Sequence, residues 1–132
     1  MSIQISYLTP LIQVFDMSRS LKFYRDILGF TVNMDSGNAD DSSWVWITKD
    51  GTHLMLNDQY EPGCGPAAPP NERVKWHKDT CLFLGCDDLE GVYKYLKAKG
   101  LDLQPPSVTS YGMKQLSLTD PDGYHLCFQS TA

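Results

Sequence analysis

Asp120-Pro121-Asp122-Gly123-Tyr124-His125-Leu126-Cys127-Phe128-Gln129 reads as a tight turn feeding one strand, and the chain carries the pattern twice. Seventy-two residues earlier, Asp50-Gly51-Thr52-His53-Leu54-Met55-Leu56-Asn57 matches Asp122 to Gln129 position for position. Asp-Gly between two apolar runs is a strong hairpin signal, because glycine takes the positive φ that a primed turn requires. Both copies are therefore expected to be hairpins. Residues two apart in a strand share a face. Leu54 and Leu56, like Leu126 and Phe128, then face a core, while His53, Met55 and Asn57, like His125, Cys127 and Gln129, face the wall of a cavity.

Outward from these hairpins the rest of the chain falls into two matching halves. Leu8 to Phe15 reads as a strand, with Pro10 marking an edge or hinge. Asp16 or Ser18 caps a helix whose apolar set Leu21, Tyr24 and Leu28 keeps the helical period, and Gly29 ends it. Phe30 to Met34 is a second strand. Trp44 to Ile47 is a third, apolar on both faces and so expected to be covered on both. Thr52 to Asp58 is the fourth, which makes the first half β-α-β-β-β.

The second half repeats the plan. A strand over Asp79 to Cys86 precedes a helix capped by Asp87 or Asp88, carrying Leu89, Val92, Tyr93 and Leu96 and ending at Gly100. Leu101 to Leu103, Met113 to Thr119 and Tyr124 to Ser130 supply three more strands. Asp16 maps onto Asp88 at the offset of the hairpins, and only a one-residue slip separates Gly29 from Gly100. That agreement marks an internal duplication. Residues 8–58 form module one, 59–77 a Pro- and Gly-rich connection and 78–130 module two, together one domain over residues 1–132. The fold class is α+β: two tandem modules, each a curved mixed sheet with a helix on its outer face, closing on a cleft.

Bulk properties narrow the function classes. The 132 residues are 42% hydrophobic and 20% charged, as in a soluble globular protein. A net charge of −5 opposes a phosphate-backbone partner and favours a cationic ligand. Cys64, Cys81, Cys86 and Cys127 carry no extracellular cue and read as buried free thiols. The first ten residues have neither a cationic start nor a long apolar run, so a cytoplasmic protein with no membrane or nucleic-acid partner is expected.

Asp16-Met17-Ser18-Arg19-Ser20-Leu21-Lys22-Phe23-Tyr24-Arg25-Asp26-Ile27-Leu28-Gly29-Phe30 and the Asp120-Pro121-Asp122-Gly123-Tyr124 hairpin resemble the signatures of the glyoxalase, bleomycin-resistance and extradiol-dioxygenase superfamily, the vicinal oxygen chelate proteins. The resemblance covers about residues 8–130. Metal-dependent members place His, Gln or Glu from the first and last strand of each module on one divalent ion, a Lewis acid toward two neighbouring substrate oxygens. The resemblance carries those positions onto Thr9, Met55, Cys81 and Cys127. None is a nitrogen or carboxylate ligand, so no metal and no cofactor is expected.

Other groups have two readings each. His53 and His125 occupy equivalent repeat positions, as an acid-base pair or as structural histidines at the sheet rim. Cys81 and Cys127 lack a visible neighbour to lower the thiol pKa and read as structural rather than nucleophilic. His77 is a surface residue or a lid element, and Tyr111 with Gln115 is a ligand contact or a turn entering a strand.

The leading expectation is a metal-free small-molecule binding protein similar to the bleomycin-resistance branch. It is a homodimer, paired or exchanging N-terminal strands as the resemblance implies, and its ligand is cationic or aromatic. The expected ligand-binding set is Thr9, Gln13, Phe15, Trp46, His53, Met55, Cys81, Phe83, Tyr111, Gln115, His125 and Cys127. The alternatives are a lyase, isomerase or dioxygenase-type enzyme of the same superfamily with an altered or displaced site, and an interaction subunit whose cleft is filled by its own side chains.

Overall fold

The computed structural model describes residues 2–61 and 64–132. Met1, and Pro62 and Gly63 of the expected connection, lie outside the described residues. The chain divides into two units, Met1–Ala68 and Pro69–Ala132.

In the first unit β1 (Leu11–Val14) leads to α1 (Met17–Leu21), and β2 (Thr31–Asp35), β3 (Trp44–Lys49) and β4 (Thr52–Asp58) follow. The sheet order is β1-β4-β3-β2, with β1 parallel to β4 and the other pairs antiparallel. Burial alternates along the strands: Val45, Ile47 and Leu56 are fully covered, as are Tyr24 and Leu21 of the helical segment. Trp44 and Trp46 on the opposite face of β3 are only half-buried, so the expected double cover of this strand holds on one face alone.

The helix departs from the expected geometry. After Leu21 it widens into a π-helical stretch over Lys22–Ile27, in which Leu28 N–H reaches the Phe23 carbonyl at 2.9 Å. Asp16 stands at the N-cap with extended backbone but its side chain makes no capping bond. Arg25 instead clamps the segment to the following loop, donating to Asp40 at 2.7 Å.

The second unit repeats the order with β5 (Cys81–Gly85), α3 (Leu89–Ala98), β6 (Ser107–Val108), β7 (Met113–Thr119) and β8 (His125–Thr131), arranged β5-β8-β7-β6. Here the cap is as expected, with Asp88 Oδ1 accepting the Gly91 N–H at 2.9 Å. Leu89 and Leu96 of α3 are buried, and the helix packs against β7 and β8. The expected strand over Leu101–Leu103 is not formed. Pro105 and Pro106 have no N–H to donate to a ladder, so pairing starts only at Ser107 opposite Gln115.

The expected connection holds a helix that its prolines disguised, α2 (Asn71–Trp76), followed by one 3₁₀ turn over His77–Asp79. This segment is latched to the second hairpin. Buried Arg73 pairs with fully buried Asp122 at 2.7 Å, and the His77 ring stacks on Tyr124 at 3.9 Å. Gly123, at φ +88°, lies against Val74, leaving no space for a Cβ. The first hairpin has the same Asp-Gly pair and a different fate: Asp50 and Gly51 both take positive φ, and both are exposed. The four cysteines are free as expected, but only Cys127 is buried, Cys86 being intermediate and Cys64 and Cys81 exposed.

Candidate functional site

Each sheet has one face against its helical segment and one face open in its unit. In the first unit strand parity puts Leu11 and Gln13 of β1, Trp44, Trp46 and Thr48 of β3, and His53, Met55 and Asn57 of β4 on the open face. In the second it puts Cys81 and Phe83 of β5 beside His125, Cys127 and Gln129 of β8, with Gln115, Ser117 and Thr119 of β7 beyond them. One residue in five of the chain is charged, yet none of these positions holds Asp, Glu, Lys or Arg. Lys114, on the opposite parity, turns to Glu90 of α3 at 2.9 Å. The charge sits elsewhere, so the open faces suit an uncharged, partly aromatic surface for a ligand.

The most ordered polar group on the first face is a pair. Trp46 Nε1 donates to His53 Nδ1 at 3.1 Å, and the two rings meet edge-on at 5.7 Å. Tyr7 covers both, its ring 6.4 Å from Trp46 and 6.5 Å from His53. Thr9 follows two residues later. Its Oγ1 is buried and has no hydrogen-bond partner among the described residues. The β1–β4 ladder starts with Leu11 opposite Met55, with Met55 N–H on the Pro10 carbonyl at 2.9 Å; carried back two residues, that register sets Thr9 level with His53. The expected Thr9, Trp46, His53 and Met55 are thus neighbours, and Gln13 lies further along the same edge strand.

Phe15 is apart from them. It is buried beyond the end of β1, edge-on to Tyr60 at 5.9 Å, and lines a separate cavity of about 210 Å³ with Asp16, Asp58 and Glu61. Burial, and then the nearby Glu61 and Asp16 charges, push the Asp58 carboxyl above the ordinary carboxylate value.

On the second face Cys81 pairs in register with His125, and Phe83 with Cys127. Burial pushes both thiols up, and for Cys127 the neighbouring Cys81 adds to the rise while a hydrogen bond from Ser117 opposes it. Thiols shifted in that direction are poor nucleophiles. Gln115 Nε2 donates to Tyr111 Oη at 3.1 Å and to Gln129 Oε1 at 3.2 Å, which ties the expected Tyr111 and Gln115 to a cavity-side residue left out of the expected ligand-binding set. His125 also borders a cavity of about 370 Å³ between Leu101–Gln104 and Ser117–Thr119, the gap left where Pro105 and Pro106 shorten β6.

The donor set does not fit the divalent ion of the metal-dependent relatives. Thr9 with Met55 in one unit and Cys81 with Cys127 in the other offer a hydroxyl, a thioether and two thiols, in place of the imidazole and carboxylate donors such an ion prefers. Among the described residues no group of three or more His, Cys, Asp or Glu is placed to hold a metal ion. No described helix is long and apolar enough to cross a membrane.

The sequence model described as Glyoxalase/Bleomycin resistance protein/Dioxygenase superfamily matches residues 4–128. No curated protein matches. Similar solved structures include a bleomycin-binding protein complexed with bleomycin, at TM-score 0.68 and 23% identity, covering 97% of this chain and 100% of that one. The antibiotic binding protein TnmS3 from Streptomyces sp. CB03234 gives 0.69 and 23%, covering 99% and 100%. TioX from Micromonospora sp. ML1 gives 0.73 and 16%, covering 96% and 99%. At these identities the likeness is one of fold.

Proposed function

Because the chain belongs to the glyoxalase/bleomycin resistance protein/dioxygenase superfamily, we propose that it is a metal-free binding protein that sequesters a small molecule without changing it. Each open face is a ligand surface in its own unit, formed by Thr9, Gln13, Trp46, His53 and Met55 in module one and by Cys81, Phe83, Gln115, His125 and Cys127 in module two. Tyr111 reaches the site through Gln115.

The observation that carries this reading is that the open faces hold no charged side chain, and that the four positions the family resemblance gives to metal ligands hold Thr9, Met55, Cys81 and Cys127 beside Trp46 and Phe83. A pocket with mostly apolar walls and a few oriented polar groups is what ligand capture needs. That structurally similar proteins are described as binding bleomycin or an antibiotic supports the same reading.

A homodimer is part of the proposal. Ile3, Ile5 and Tyr7 alternate with Gln4 and Ser6 as in a strand, yet Ile3 is 87% exposed and Ile5 79%. A partner copy is the natural cover for such a segment.

Calorimetric titration with cationic and neutral aromatic antibiotics tests the binding claim, and light scattering tests the dimer. Heat with at least one compound and a mass twice that of the chain are expected. Silence with all of them refutes the ligand class. Turnover of a carbonyl or enediol substrate that falls by orders of magnitude in His53→Ala or His125→Ala favours the enzymatic alternative.

A further inference from the structure

The polar groups of the first open face differ from what the bulk charge leads one to expect. A net charge of −5 favours a cation, but a bound cation would find no carboxylate among Leu11, Gln13, Trp46, His53, Met55 and Asn57 of that face. What it finds is a hydrogen-bond arrangement of fixed sense. An indole N–H only donates, so His53 Nδ1, which takes it at 3.1 Å, presents its lone pair to Trp46. The neutral imidazole then carries its hydrogen on Nε2, as a donor. Tyr7 lies over the same ring at an interplanar angle of 28°, and Trp46 stands edge-on to it. Beside them the Thr9 hydroxyl is buried without a partner among the described residues, and buried polar groups in folded proteins are normally matched.

From this geometry, and resting on the sequestration reading above, we infer that the ligand of this face is a neutral, flat aromatic compound bearing a hydrogen-bond acceptor, a ring carbonyl in type. Its rings lie against Trp46 and Tyr7, and its acceptor meets His53 Nε2–H, with the Thr9 hydroxyl as second contact. Trp46 acts on specificity twice, as a wall and as the group that sets which imidazole nitrogen bears the hydrogen. A cationic aromatic gains stacking and cation–π attraction from Trp46 and Tyr7 but leaves the His53 and Thr9 donors unmatched.

The test compares fluorenone, fluorene and the cation 9-aminoacridine in calorimetric titrations of the full chain. Fluorenone and fluorene differ by the carbonyl alone. Fluorenone is expected to bind roughly five- to tenfold more tightly than fluorene, the worth of one hydrogen bond, and more tightly than 9-aminoacridine. His53→Phe and Thr9→Val, with folding checked by circular dichroism, are expected to shrink that preference. His53→Gln, which keeps a donor, retains part of it, and Trp46→Phe, which keeps a ring but loses the N–H, lowers it. Fluorene binding as well as fluorenone, 9-aminoacridine binding best, or a preference untouched by His53→Phe overturns the inference and leaves sequestration standing. Binding of none of the three compounds overturns the inference, while sequestration is decided separately by the antibiotic titration.

Discussion

Replacing Arg73 by Met is the sharpest perturbation of the fold. Arg73 Nη1 meets Asp122 Oδ1 at 2.7 Å, with 9% of the arginine side chain and none of the aspartate exposed. Methionine fills similar space but leaves a carboxylate with its main counter-charge gone. Breaking one partner of a buried ion pair costs about 3–5 kcal/mol, because desolvation is no longer offset. Against a total stability on the order of 5–15 kcal/mol that is a large share, and it corresponds to a Tm lower by roughly 10 °C or more. Asp122 also anchors the latch through its backbone, its carbonyl being 2.6 Å from His77 Nδ1 and its N–H bonding Asp120 at 2.8 Å. The double variant Arg73→Met, Asp122→Asn removes the orphaned charge and is expected to recover part of the loss. Asp50→Asn, at the equivalent but exposed hairpin position, is the control and should shift stability by no more than about 0.5 kcal/mol. Urea unfolding followed by circular dichroism reads all three. An Arg73→Met change as small as that of Asp50→Asn refutes the latch.

Gly123→Ala should cost clearly more than Gly51→Ala. Both alanines are forced to positive φ, worth about 1–2 kcal/mol, but only the one at 123 meets Val74, at 2.6 Å; equal costs in thermal melts contradict this. Asp58→Asn should stabilise the protein at neutral pH: burial raises the carboxyl in the folded state, so the charge present above that range opposes folding. The advantage should shrink below the ordinary carboxylate range, where both states are protonated, and a constant difference across a pH series counts against it. The Asp40 carboxyl is lowered, first by the hydrogen bond from Arg25, so its contribution is complete above the unfolded-state pKa and lost as pH falls through the lowered one. With 41% of that side chain exposed, Asp40→Asn should cost about 0.5 kcal/mol at neutral pH and nothing in strong acid.

The repeat in the sequence carried most of the architecture, because glycine signals act locally. Gly29 and Gly100 end their helical segments at φ +87° and +91° as their positions imply, and β4 occupies Thr52–Asp58 as expected. What stayed hidden depends on contacts distant in sequence. Asp120-Pro121 before the second Asp-Gly pair lengthens that turn, with Asp120 taking the Asp122 N–H at 2.8 Å, but it does not announce burial; α2, packed across the second hairpin, makes Asp122 a buried anion while Asp50 stays at the surface. The shortened β6 was legible in principle from Pro105-Pro106. The Trp46–His53 bond was not, since it needs the β3–β4 register that sets Thr48 opposite His53 and Trp46 opposite Met55. Tyr7 was passed over because it lies outside every strand, and Gln129, read as cavity-facing, was not joined to the ligand set because its partner Gln115 was read alone. Phe15 shares the parity of Gln13 in sequence, but β1 ends at Val14 and the chain turns it toward Tyr60.

Native mass spectrometry of protein purified without chelator tests the central claim most directly, because it reports metal and bound small molecule in one spectrum. The account predicts no stoichiometric transition metal, and a retained organic compound or added neutral aromatic ligand that is lost in Trp46→Ala. One Zn, Fe, Mn or Ni per chain, released by substituting an open-face residue such as His53, would contradict it.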